Sequence, residues 1–108
     1  MAAAKQQLGK VRKVTDEAAI VRCVAGDGLI REEVWKDDEG NVVRFNLAFI
    51  NLHLFQRDHG RVLGYDTAHG YPHRHFAGSV EMIEPVPYQM ILRRFKAEVA
   101  ELRKRRHL

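Results

Sequence analysis

Six histidines stand in 108 residues, and three of them, His69, His73 and His75, fall within seven positions. Imidazole changes charge near neutral pH, so it serves as a general acid or a general base; its neutral form ligates metals. His73 and His75 lie two apart, and in an extended segment both side chains point to the same face. Tyr65 and Asp66 close the preceding apolar run, and His69 swings in from the loop between. Arg61, Arg74 and Tyr71 complete the tract.

The cluster supports three readings. In the first, His69, His73 and His75 hold zinc or another transition metal with one position left open. The His-x-His pair resembles that of cupin barrels, yet no Glu follows His75 by three or four residues and no second histidine motif lies downstream. In the second, the tract cleaves a phosphodiester with no metal and no cofactor. RNA brings its own nucleophile, the 2′-hydroxyl, so the protein supplies a base, an acid and a cation. His73 and His75 are the acid and base, and Asp66 orients one ring, with His69 in support. Arg61 and Arg74 grip phosphate, while Tyr65 and Tyr71 stack a base or donate a proton. In the third, the histidines are hydrogen-bonded parts of a half-buried strand and carry no chemistry.

Strands must position these residues. Residues 15–25 read as strand or helix, with a slight preference for strand. Leu29 to Trp35 is a strand, and Asp37-Asp38-Glu39-Gly40-Asn41 is a hairpin turn. Val42 to Phe55 is the strongest strand signal, but its apolar residues change parity midway. That change requires a bulge near Ala48–Asn51 or burial on both faces. Arg61 to Asp66 forms a fourth strand and Ser79 to Glu84 an edge strand, with Pro72 disfavouring a central strand at the start of its segment. Pro87 opens a helix whose apolar stripe runs through Tyr88, Ile91, Leu92, Phe95, Val99 and Leu102. Strands first and one helix last predict an α+β domain over 14–108. It is an antiparallel meander of four to six strands with a long amphipathic C-terminal helix packed on one face. Phe45, Leu47, Phe49, Phe95 and Leu102 are its expected core. Cys23 reads as a small core residue and Trp35 as core edge or partner surface.

Charge is segregated along the chain. Residues 1–13 carry +4, residues 14–84 carry −5 and residues 85–108 carry +5. Residues 1–13 read as a flexible basic arm. Basic ends suit a polyanion or an acidic protein partner. No apolar run approaches the ~20 residues of a membrane helix, and Met1 to Lys13 lacks the apolar segment of a secretory signal. A single cysteine makes no internal disulfide, so a cytoplasmic setting without membrane association is expected.

Three stretches carry a family resemblance: Asp27 to Trp35, Asn41 to Asn51, and Gly60 to His75, whose Tyr65-Asp66, His69-Gly70 and His73-Arg74-His75 are the most specific. Together with Tyr88 to Leu102 they resemble the TumE family of toxins from bacterial and archaeal toxin–antitoxin modules. The resemblance covers roughly residues 27–102. It implies a toxin and a cognate antitoxin with a DNA-binding domain, and it assigns no catalytic roles. Combined with the tract it yields the expectation of a metal-independent ribonuclease that binds RNA, with self-association compatible. A non-catalytic module that binds protein or nucleic acid through its basic helix is the alternative, beside the small metalloprotein.

Overall fold

The computed structural model describes residues 9–68 and 70–108. Within them the chain makes six strands and one α-helix: β1 (Arg12–Val21), β2 (Gly28–Lys36), β3 (Val42–Ile50), β4 (Arg61–Ala68), β5 (Tyr71–Phe76), β6 (Ser79–Met82) and α1 (Tyr88–Leu102). The strands form one antiparallel sheet in sequence order, each paired with the next. This is the expected α+β meander, although the helix is fifteen residues rather than long. β1 starts at Arg12, so Arg12 and Lys13 of the basic arm belong to the sheet. Residues 1–8 of that arm lie outside the described residues.

Alternation decides which side chains reach the helix. Phe45, Leu47 and Phe49 of β3 stand opposite Val34, Glu32 and Ile30 of β2, and Leu47 and Phe49 stand opposite Tyr65 and Leu63 of β4. These residues form one face, and α1 lays Ile91, Phe95, Val99 and Leu102 across β3 and β4. All five expected core residues are in this cluster, and Cys23 packs against it. The Tyr65 and Phe95 rings meet edge to face with centroids 6.3 Å apart. Arg103 ties the helix end to the β1–β2 turn: its carbonyl accepts from Val24 N–H at 2.9 Å, and its Nε donates to the Arg22 carbonyl at 2.8 Å.

The parity change in Val42 to Phe55 has a local cause. β3 ends at Ile50, and its pairing with β4 slips between Phe49 and Ile50. Leu52 and Leu54 lie in the following turn, where Leu54 is buried and Leu52 exposed. Buried Asn51 holds that turn: its Nδ2 donates to the Gly26 carbonyl and its Oδ1 accepts from His53 N–H, both at 2.9 Å. The His53 ring packs closely on Gly26, where a Cβ would come within 2.4 Å of it. His53 is a packing residue off the strand. Pro72 does sit in a central strand, β5, but only as its second residue and beyond the last pair with β6. Its carbonyl still accepts from Ile83 N–H at 3.1 Å.

Two carboxylates clamp the helix to its sheet face. The Tyr88 hydroxyl donates to Glu32 Oε2 at 2.6 Å. Near the other end, Glu98 accepts from the Tyr65 hydroxyl and from Arg74. Burial, and then the Glu98 carboxylate, push the Tyr65 hydroxyl up to about 12, so it keeps its proton at neutral pH and donates.

Candidate active site

Among the described residues no second helix covers the opposite sheet face. Register places a row of side chains across it: Asp16, Glu33, Asn46, Asp66, His73 and Met82, one from each strand. The neighbouring row contains Arg31, Ala48, Gly64, His75 and Val80. His73 and His75 therefore share the open face with Asp66, as the extended reading requires.

His75 is held at both ring nitrogens. Arg61 Nη2 lies 3.1 Å from His75 Nδ1. A guanidinium only donates, so Nδ1 accepts and Nε2 carries the proton. That Nε2–H points at Asp66, 3.1 Å from Oδ1 and 3.0 Å from Oδ2. Arg61 also donates through Nη1 to Asp66 at 3.5 Å and through Nε to Asp58 Oδ2 at 2.9 Å. The guanidinium is thus shared by two carboxylates and one imidazole. Its stem lies over Gly64, where a Cβ would stand 3.0 Å from Arg61 Cδ. Any larger residue at 64 pushes the stem off its track.

His73 is different. Its Nδ1 faces the Tyr71 carbonyl at 3.0 Å. A carbonyl only accepts, so Nδ1 carries the proton and Nε2 presents its lone pair. His73 is half-exposed, and its sheet neighbour on β4 is Asp66. An imidazole with one nitrogen fixed and the other open is in the form a general base needs. Tyr71 is on the same face by parity and 53% exposed, at the mouth of this region.

Tyr65 and Arg74 are not brought to this site. Each is one residue from a member of it, and adjacent residues on a strand face opposite ways. Both lie on the helix side, joined to Glu98. Arg74 Nη1 also reaches Glu81 at 3.4 Å, and its guanidinium sits 5.2 Å from the Phe76 ring. His69 lies outside the described residues. Among the described residues no group of three His, Cys, Asp or Glu side chains is placed to hold a metal ion.

The geometry yields a stability test that separates the two faces. Glu98→Ala takes the acceptor from the Tyr65 hydroxyl and leaves Arg74 only its longer contact with Glu81 among the described residues, and it should cost about 1–3 kcal/mol in chemical denaturation. It should leave any activity of the open face unchanged at temperatures where the variant is folded. A large loss of activity in a folded Glu98→Ala protein contradicts the division.

Further along the row, Glu33 ties β1, β2 and β3 together. Lys13 Nζ donates to it at 2.6 Å, Asn46 Nδ2 at 2.9 Å and Arg31 Nη2 at 3.4 Å. These donors, Lys13 foremost, hold its carboxyl down at about 2 against an ordinary 4.5. A carboxyl depressed by folding stabilises the fold above its unfolded value and ceases to do so as pH falls through the folded one. Glu33→Gln should therefore be less stable than wild type near neutral pH, with the gap closing between pH 4.5 and about 2. Urea titrations across that window check it.

The elements missed by sequence reading are Glu98, Asp58 and the Glu33–Asn46 link. Comparison of the chain with models of protein families, with curated proteins and with solved structures gives no match. No helix among the described residues is long and apolar enough to cross a membrane.

Proposed function

We propose that the chain is the toxin of a type II toxin–antitoxin module and acts in the cytoplasm as a metal-independent ribonuclease. One observation carries the reading. On the sheet face opposite α1, His73 has an open ring nitrogen beside a second imidazole, His75, that Asp66 orients and Arg61 caps. The likeness to the TumE family supports the toxin half of the proposal.

The chemistry follows from those bonds. A phosphate on the open face takes the Arg61 Nη2–H from His75, since a charged acceptor outcompetes a neutral ring for that donor, while Nε stays on Asp58. That exchange frees His75 Nδ1 to take a proton, and Asp66 stabilises the imidazolium through Nε2–H. His73 Nε2 removes the proton from the 2′-hydroxyl as the 2′-oxygen bonds to phosphorus. The bond from phosphorus to the 5′-oxygen breaks, and the leaving oxygen takes the His75 Nδ1 proton. The products are a 2′,3′-cyclic phosphate and a 5′-hydroxyl. A base that must be neutral and an acid that must be charged give a bell-shaped pH profile.

An antitoxin with a DNA-binding domain would silence this site by laying an acidic segment over the Arg61 and histidine face. Controlled induction in cells tests the reading. Wild type should arrest growth, and the double variant His73→Ala/His75→Ala at equal soluble level should not. Equal arrest by both reassigns the effect to binding through the basic outer face of α1. No arrest by either overturns the toxin assignment.

A further inference from the structure

The geometry points to a nucleotide-binding subsite at Trp35 and Arg44, on the same open face, that takes single-stranded RNA next to the nucleotide held at His73; this rests on the ribonuclease reading. Register sets Lys13, Trp35 and Arg44 side by side across β1, β2 and β3. Trp35 lies two residues along β2 from Glu33, and Arg44 two residues along β3 from Asn46, so both share the face of Asp66 and His73. The Arg44 guanidinium stacks 4.4 Å from the Trp35 ring centroid, and Lys13 Nζ lies 5.1 Å from it.

The two cations differ in what else they touch. Lys13 is bonded to Asp16 at 2.8 Å and Glu33 at 2.6 Å. Arg31 is bonded to the same two carboxylates, and Arg61 to Asp58 and Asp66. Arg44 is exposed and makes no ion pair among the described residues. Its partner among the described residues is an aromatic ring, which fixes the plane of the guanidinium and leaves its N–H edge and its charge for an anion.

The space beside it suits a nucleotide. A hollow of about 410 Å³ is lined by Val43, Arg44, Thr67, Ala68 and Gly70. Ala68 pairs with exposed Tyr71, which leads to His73 two residues on. Strand spacing puts Arg44 on the order of 12 Å from His73, within reach of one extended strand of RNA. A stacked guanidinium and indole offer a flat surface to a base, and the N–H edge offers two donors to a phosphate. In a duplex the bases are already stacked and paired, so the subsite selects unpaired RNA.

Trp35 is the sole tryptophan of the chain, so its fluorescence reports on this corner alone. The probe is a 2′-O-methyl RNA hexamer, which has no nucleophile and is not cut. Titrating it into the full chain should quench Trp35 saturably, and a duplex of the same sequence should not. Arg44→Gln should weaken binding about tenfold and lower the salt dependence by about one phosphate contact, a slope change of ~0.7. Trp35→Ala, followed by anisotropy of labelled hexamer, should weaken binding about tenfold or more. An unchanged Trp35 signal overturns the subsite, as does an Arg44→Gln protein with full affinity and wild-type circular dichroism. Equal quenching by poly-glutamate, in competition with the hexamer, also overturns it and assigns the corner to an acidic protein. Because the hexamer reports binding without cleavage, a bound but uncut natural RNA would sink the ribonuclease reading and leave the subsite standing.

Discussion

His73→Ala should lower RNA cleavage by about 10²–10⁴-fold, the range a positioned acid or base contributes. The fold should hardly notice. His73 is half-exposed, and among the described residues its side chain bonds to the Tyr71 carbonyl, for which water can substitute. Thermal unfolding should shift by no more than a few degrees. His75→Ala should be just as inactive but less stable, because it strips one of three acceptors from Arg61 and the imidazole donor from Asp66. Activity and thermal unfolding measured on both variants check the pair of expectations. Full activity in His73→Ala would remove the proposed base.

The largest loss of stability should come from Phe95→Ala. Phe95 is 1% exposed at the centre of α1, and it meets the buried Tyr65 ring edge to face. Emptying such a site costs about 3–5 kcal/mol, because the lost transfer energy is joined by the cavity left behind. A domain of this size is worth about 5–15 kcal/mol in total. Phe95→Ala should therefore lower the midpoint of thermal unfolding by roughly 10–20 °C. α1 is the main cover of this sheet face among the described residues, so the same variant should bind a hydrophobic dye and aggregate on warming. A shift of only a few degrees would mean that the sheet holds together without its helix.

Much of the fold was legible because two periodicities were clean. Strand alternation through Phe45, Leu47 and Phe49 and the helical stripe through Ile91, Phe95 and Leu102 mark both sides of the core in the sequence itself. β1 was less legible, since its alanines suit a helix and its valines and isoleucine suit a strand. Pairing with β2 decides it, which is tertiary context and not propensity.

The site was legible as a cluster but not as a surface. Tyr65-Asp66 and His73-Arg74-His75 form one group along the sequence, whereas alternation sends Tyr65 and Arg74 to the helix side. The spacing alone held that information once β4 and β5 were assigned as strands. Glu98 left a trace as well: it falls seven residues after Ile91 and between Phe95 and Leu102, on the border of the buried stripe. A carboxylate there needs a partner from the sheet. Gly64 inside a strand marked a close approach, and the approaching group is Arg61. Asp58 gave no such signal, because its role depends on the backbone turn before β4.

The most direct measurement is the end chemistry of the RNA product. Purified chain is incubated with a single-stranded RNA in excess EDTA, alongside the same RNA carrying 2′-deoxy at the cut position. Fragments ending in a 2′,3′-cyclic phosphate, formed in EDTA and abolished by the 2′-deoxy change and by His73→Ala, are the predicted result. Cleavage that stops in EDTA, that survives the 2′-deoxy change, or that survives His73→Ala contradicts an acid–base site built on His73 and His75, as would no cleavage at all.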